Sequence, residues 1–513
     1  MTKLKTMADA ERDNSIIIIG AGFAGLAAGI YAQMNGYKTR IFEMHDKPGG
    51  LCTSWKRKGY TIDACIHWLV GSSPKSNMHD FWEEVGITQG REFIYMDEYM
   101  HFESHDGRTL TFYADVDRLE KHLLEFSQQD NQQIKEFIKA IKICLVFDQP
   151  SRNASLPERF IKQIRLIWTF VTKGKKMQEW MKTTGKEFAA GFKDPLLKSA
   201  FDEIWIPEFS ILFMFFTFAY LHKRNAGYPL GGSMPMSKAL EDRYKALGGV
   251  INYRNHVDKI ITENGKAHGI RLSDGTEHRS NIVISAADGF STIFNILEGK
   301  YVDEKIRNSY DNWPLFPPLI FIGLGVNRKF DEVPCSVSGF SFPLKEKVQI
   351  GDKKRDRLLV HLYHHDQSMA PDGRTALTVM FETDYDYWKN LHGDIMDYDR
   401  KKDEIANAVI ELLEQRFPGI SSQVEMVDVA TPLTFERYTG NWKGSFEGWL
   451  ITPENSNVIM KPMSQTLPGL SNFYMCGQWV EPGGGLPTGV MSGRRLIKSI
   501  CKEDHKKFRT TIL

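Results

Sequence analysis

The chain has almost no net charge: 65 lysines and arginines face 64 aspartates and glutamates over 513 residues. No global field draws it to nucleic acid or to an acidic partner, so any electrostatic attraction has to be local. Its six cysteines, Cys52, Cys65, Cys144, Cys335, Cys476 and Cys501, show no C-x-x-C spacing and no disulfide-framework density. That excludes a metal motif of the zinc-ribbon kind and fits free thiols in a reducing compartment. No stretch reaches the ~18 uninterrupted apolar residues of a spanning helix. The nearest, Phe209 to Leu221 (FSILFMFFTFAYL), has the length of a buried core helix or an interfacial element. The opening residues, MTKLKTMADAERDNS, lack the apolar core of a secretory signal, so a cytoplasmic location is expected. Repeats and low-complexity linkers are absent too, so the two to three domains suggested by ~150 residues each are expected to be interleaved.

What is present is concentrated near the start. Ile16 to Ile19 runs into Gly20-Ala21-Gly22-Phe23-Ala24-Gly25, then an Ala-rich helical stretch, then a strand from Lys38 to Phe42 ending at Glu43. A dinucleotide fingerprint needs its glycines on a strand-to-helix turn and an acid closing the next strand, and both are here. Gly20 makes the tight turn, Gly22 admits a pyrophosphate against the backbone, and Gly25 lets helix and strand pack. The helix start offers free amides and a positive dipole end to the phosphates. Glu43 is placed to accept from a ribose hydroxyl. It is the single fingerprint in the chain, so a separate nicotinamide site has no support.

Lys47-Pro48-Gly49-Gly50 follows the acid, and two adjacent glycines permit a second close approach of backbone to ligand. The competing reading is a nicotinamide site followed by an ordinary turn. The stretch from Gly20 to Gly50 resembles the FAD-binding front of the flavoproteins that include amine oxidases, protoporphyrinogen oxidase and phytoene desaturase. The resemblance implies FAD, and it implies that the C-terminal segment returns to clamp it. There, Leu470 to Gly477 reads as a strand, and Gly485, Thr488 and Gly489 lie at the start of a helix near Pro487 whose amides would face the flavin. Cys476, beside this loop, reads as a small buried hydrophobe.

The pattern predicts an α/β fold. A Rossmann-like FAD-binding domain on a parallel sheet (1–75, 228–300 and 460–513) is interleaved with an α+β substrate and membrane-associating domain on a mixed sheet (76–227 and 301–459). Residues 92–113 read as strands around an Asp106-Gly107 turn, and Val116 to about Leu221 as a long helical region. Met236 to Leu247 reads as a helix stopped at Gly248-Gly249, 315–382 as several strands, and 400–416 as an amphipathic helix. Residues 250–290 read as strands and tight turns. In the family this segment brings Val257 to the adenine through its backbone; the alternative is a hairpin of the substrate domain.

Three segments narrow the resemblance toward phytoene desaturases, carotenoid isomerases and the retinol saturase branch. They are Gly49-Gly50-Leu51-Cys52 with Ile62-Asp63-Ala64-Cys65-Ile66-His67-Trp68, then Ala226 to Ser233 (AGYPLGGS), then Thr431 to Gly440 with Gly444 and Gly448. Trp68 stands where that branch has tyrosine, and 115–205 and 330–420 carry little that aligns. His67 is a candidate proton donor beside the flavin, against a core histidine satisfied by a backbone carbonyl. Glu208, before the Phe/Met-rich run, is a candidate acid whose pKa aromatic surroundings would raise, against a helix cap. The run itself reads as core or as a substrate tunnel.

Residues 156–182 place Phe160, Ile164, Ile167, Trp168 and Val171 at helical spacing beside Arg159, Lys162, Arg165, Lys173, Lys175 and Lys176. Such a helix either lies on a membrane or packs on the core with a solvated face. The resemblance implies an FAD-dependent oxidoreductase that saturates, desaturates or isomerises C–C double bonds of a polyene, retinoid or isoprenoid lipid, without metal or nucleic acid. The rivals are an amine or porphyrinogen oxidase, and a prenyl-lipid escort protein similar to Rab GDP-dissociation inhibitors, which the intact glycines disfavour.

Overall fold

The computed structural model describes residues 14–512 except Trp205 and Met460. The first thirteen residues, which make up most of the polar stretch behind the expected cytoplasmic location, lie outside the described residues. Five parallel strands form one sheet, in the order Val250–Tyr253, Lys38–Glu43, Ser15–Ile19, Ile282–Ser285 and Phe473–Met475. Ile16 to Ile18 are at most 1% exposed because both faces are covered, one by the helix Phe23–Met34 and the other by a small sheet of Val257–Glu263, Lys266–Leu272 and Glu277–Arg279, which is why this strand is an unbroken isoleucine run and does not alternate. The helices Phe23–Met34 and Leu486–Glu503 pack against each other closely enough that a side chain at Gly493 would come within 2.8 Å of the Ala24 carbonyl. The fold is thus the α/β arrangement expected.

A second sheet has seven strands, in the order Val424–Ala430, Leu319–Val326, Thr375–Glu382, Lys353–Leu362, Phe340–Ile350, Glu98–Glu103 and Thr109–Tyr113. It is antiparallel apart from the pairing of Phe340–Ile350 with Glu98–Glu103, so it is mixed. Its two faces follow from alternation along each strand. In LIFIGLGV, Ile320, Ile322, Leu324 and Val326 join a core with Ile405, Val409 and Leu412 of the helix Ile395–Arg416. On the opposite face, Gly323 and Gly325 leave room for Ile62 and Tyr60 of the hairpin Ser54–Arg57/Tyr60–Asp63. The same phase turns Leu358 and Val360 to the helix-covered core and leaves Leu359 and His361 on the face lining the main cavity.

The long helical region from Val116 breaks into several helices, among them Val116–Phe126, Asn131–Cys144, Leu156–Met181 and Ile211–His222. Strand Phe340–Ile350 lies in the stretch where no alignment was legible. The Phe/Met-rich run is mostly core: Ile211, Met214, Phe215 and Phe218 have no exposure. Ser210 caps its helix by accepting from the Leu212 amide, so capping falls to Ser210 and not to Glu208.

Candidate active site

One cavity of about 1600 Å³ runs from the parallel sheet to the mixed sheet. Gly20, Gly22, Phe23, Ala24, Glu43, Gly49, Gly50, Val257, Gly477, Gly485, Thr488 and Gly489 all line its sheet-side half. Gly25 does not, and the reason is packing: a Cβ there would sit 2.0 Å from the Gly20 carbonyl oxygen. Gly20 has a φ of +97°, which disfavours any side chain. Gly22 differs from both, because a Cβ there would meet no protein atom nearer than 3.9 Å. Its missing side chain leaves space in the cavity and is not demanded by the protein around it, which is what a bound pyrophosphate requires.

The two glycine loops are knitted together, the Gly49 amide donating to the Ala21 carbonyl at 2.9 Å. Glu43 accepts from the Ala21 amide at 2.7 Å and the His45 amide at 2.8 Å, which fixes its carboxylate and leaves lone pairs for ribose hydroxyls. Two helices begin on this cavity, at Phe23 and at Leu486. Both are capped by glycines, Gly22 and Gly485, that supply no side-chain acceptor. First-turn amides at both starts are therefore open to a ligand, and a dinucleotide carrying an electron-accepting ring at one end fits both. Cys476 is buried behind the loop, its thiol 3.8 Å from the Ala24 carbonyl.

Beyond this cradle the wall turns apolar, with Trp68, Tyr99, Met100, Ile204, Phe209 and Phe316 on it. Two buried aspartates fasten it. Asp63 accepts from the amides of Cys65, Ile66 and Ser233 and from the Ser233 hydroxyl. Burial lifts its pKa while those hydrogen bonds pull the other way. Asp366 accepts from the Tyr228 hydroxyl at 2.9 Å and the Gly231 amide at 2.8 Å. The Tyr228-Pro-Leu-Gly-Gly-Ser233 segment is thereby clamped at both ends, and Gly232 is required because a Cβ would lie 2.3 Å from Asp63 Oδ2.

The Asp63 turn delivers His67 to the cavity, where its ring stacks on His361 at a centroid distance of 4.6 Å. Burial pulls the His67 pKa down to about 4. Near neutral pH only about one molecule in a thousand then carries an imidazolium, so His67 can orient a group but is a poor proton donor. Glu208 stands exposed on the turn before Ile211–His222, while its neighbours Ile206 and Phe209 line the cavity. The structure therefore does not bring Glu208 together with His67.

Among the carboxyls that do line the cavity are Glu447, packed against Gly484 ahead of the second helix start, and Asp288, which accepts from the Ser291 and Trp442 amides. Burial raises the Glu447 pKa to about 7, opposed by a hydrogen bond from the Gly485 backbone. Sequence reading passed over this glutamate although it stands between Gly444 and Gly448, because those glycines mark a close return of the chain without saying against what. His361 was missed for a different reason: its facing depends on the phase of a strand in an unaligned region.

The chain matches the family described as flavin containing amine oxidoreductase over residues 23–496. It is 25% identical over 505 residues to the chloroplastic prolycopene isomerase of Arabidopsis thaliana, covering 95% of this chain and 83% of that protein. It is 24% identical over 520 residues to the neurosporene-forming phytoene desaturase of Rhodobacter capsulatus, covering 94% and 93%. Among solved structures it superposes on cyclohexylamine oxidase from Brevibacterium oxydans with a TM-score of 0.60 and 14% identity, over 96% of this chain and 100% of that one. An oxidoreductase from Methanosarcina mazei gives a TM-score of 0.55 at 18% identity, over 94% and 100%.

Proposed function

The chain belongs to the flavin containing amine oxidoreductase family and is an FAD-dependent oxidoreductase; on that premise we propose that it adds, removes or repositions hydrogen across C–C double bonds of a long apolar polyene or isoprenoid lipid. The observation that carries this reading is the continuity of the nucleotide cradle with a large cavity whose far wall is built from Trp68, Tyr99, Met100, Phe209 and Phe316. The relatives named prolycopene isomerase and phytoene desaturase point to the same substrate class.

FAD, when bound, supplies hydride exchange at its ring. The protein's part is to hold it by Gly20, Gly22, Glu43, Gly49, Gly50 and the Gly485–Gly489 helix start, and to keep the chain of the substrate away from water. Glu447 holds or releases one proton at its carboxyl oxygen, with a pKa raised by burial to about 7. His67, neutral and stacked on His361, orients the reacting segment. The same Glu447 carboxylate would be the anchor for an ammonium group, so an amine substrate is the second reading.

The helix Leu156–Met181 supports access from a membrane surface. Leu156, Phe160, Ile164, Ile167, Trp168 and Val171 are each more than half exposed, and Thr169, Met177 and Trp180 are its buried residues. Leaving such side chains in water forgoes on the order of 10 kcal/mol, which acyl chains would return. Lys162 pairs with Glu158, and Lys176 with Glu136 and Glu179, so part of the basic charge is already matched. No helix among the described residues is long and apolar enough to cross a membrane.

The test is to mix reduced, FAD-loaded enzyme with a conjugated polyene and follow the polyene absorbance. Saturation or a change of geometry is the expected outcome; brisk oxidation of amines with no response to any polyene or lipid alkene would falsify the reading.

A further inference from the structure

Outside the cavity, the loop Asn327–Gly339 and the turn after strand Lys353–Leu362 bring three soft or borderline donors together. A ligand atom from each of Cys335, His364 and His365 lies within 4.8 Å of the other two. Cys335 Sγ and His364 Nε2 are 3.3 Å apart. His364 Nε2 is also 3.0 Å from the Val333 carbonyl, to which it donates only when protonated, so ligation through this nitrogen takes the other tautomer and gives up that contact. The independent observation is one of unmet need: Nδ1 and Nε2 of His365 and Nδ1 of His364 are buried without a hydrogen-bond partner. The Leu362 carbonyl lies beside both rings and can accept from at most one nitrogen of each. A second nitrogen of His365 is still left buried with no partner, its lone pair free for a ligand.

We propose that Cys335, His364 and His365 form a binding site for a thiophilic divalent cation of the Zn²⁺ class. One thiolate and two neutral imidazoles are a donor set that such an ion prefers over carboxylate-seeking Mg²⁺ or Ca²⁺. Around a tetrahedral Zn²⁺, with bonds of about 2.0–2.3 Å, neighbouring donors sit roughly 3.3–3.6 Å apart. The pair at 3.3 Å already meets this, and rotation of exposed Cys335 or of the His365 ring by about an ångström closes the remainder. On binding, the Cys335 S–H bond breaks, its proton goes to solvent, and the sulfur lone pair forms the metal–thiolate bond with no change of oxidation state. The fourth position is left to water.

The site would brace the molecule in a particular place. His361, which stacks on His67, is three residues before His364 on the same strand end, and Asp366, which clamps Tyr228 and Gly231, follows His365 directly. An ion at this point ties the cavity wall to the outer loop. Nothing in the sequence announces it, since Cys335 and His364 are 29 residues apart and obey no ligand spacing.

The experiment uses the FAD-loaded enzyme, stripped with chelator and titrated with Zn²⁺ against a competing indicator, with metal content measured by mass spectrometry. One Zn²⁺ per chain is expected, with affinity falling on the order of 100-fold in Cys335→Ser and in His365→Ala while flavin absorbance is unchanged. In the unaltered enzyme, stoichiometric Zn²⁺ should also protect Cys335 from alkylation, a readout that does not depend on a variant folding. Failure to bind Zn²⁺ at micromolar free ion, binding that persists undiminished in both variants, or an unprotected Cys335 overturns the proposal.

Discussion

The cofactor half and the proposed substrate half of the cavity are built by opposite means. In the cradle the contacts are made by backbone: Gly20, Gly22, Gly49 and Gly50 clear space, and two helix starts present amides. In the far half the contacts are side chains selected by strand phase or by one buried turn, such as His361 and His67. Backbone recognition tolerates almost no substitution at a few positions, whereas side-chain recognition spreads its demands over many. That difference sets the size of the expected effects.

The largest should come from pairing two glycines of the fingerprint. Gly25→Val drives a side chain into the Gly20 carbonyl, 2.0 Å from where its Cβ would be, and is expected to abolish soluble folded protein. At Gly22 a Cβ would meet no protein atom nearer than 3.9 Å, so Gly22→Ala should still fold and Gly22→Val, which projects further into the cavity, should fold but emerge colourless. Circular dichroism with flavin absorbance separates the two, and a yellow Gly22→Val protein would show that the pyrophosphate lies elsewhere.

Next in size is the proton. Glu447→Gln should slow turnover roughly 10²–10⁴-fold with FAD retained, while Glu208→Gln on the surface should leave it within about twofold. His67→Ala should cost less than Glu447→Gln, about tenfold, the worth of one lost orienting interaction. Equal losses at His67 and Glu447 would restore the histidine as the proton donor. A polyene assay under single-turnover conditions reads all three.

Smaller again is the surface effect. Co-flotation with anionic liposomes should fall when Arg159, Lys162 and Arg165 become glutamate, by about 1 kcal/mol per basic residue that lies near the lipid. Lys162, already paired with Glu158, should contribute least. Wild type that never floats at low salt would make Leu156–Met181 an ordinary helix.

The smallest is a pH slope. The Glu447 pKa is about 7 in the folded protein, above the value near 4.3 of a solvated glutamate. A raised pKa means that its stabilising contribution is full below about 4.3, declines as pH rises, and is lost above about 7. Glu447→Gln stays neutral throughout, so it should flatten the Tm of the FAD-free protein across that window, by about a few degrees. An unchanged slope would place the titration on another group, such as Asp288, which burial also raises to about 7.

The same contrast explains what could be read beforehand. The fingerprint, the second glycine pair and the helix start at Gly485 were legible because strand, turn and helix signals agree locally with the backbone they specify. The hairpin at Asp106-Gly107 and the return at 250–290 were legible for the same reason. Glu447 and His361 were not, since their burial comes from chain segments far away in sequence. Glu208 misled because an apolar neighbourhood along the chain is not one in space: the aromatic run turns into the core and leaves the carboxyl on the surface.

The parallel sheet also carries a timetable. Its central strand, Ser15–Ile19, leaves the ribosome more than 450 residues ahead of the edge strand Phe473–Met475 and the helix start at Leu486. At about 5–20 residues per second that interval is roughly 25–90 s. Through it the isoleucine run has no completed sheet and the nucleotide loops have no lid, so FAD can be locked in place only after the helix Leu486–Glu503 has been made. Flavin colour therefore reports chains that have been made past Leu486.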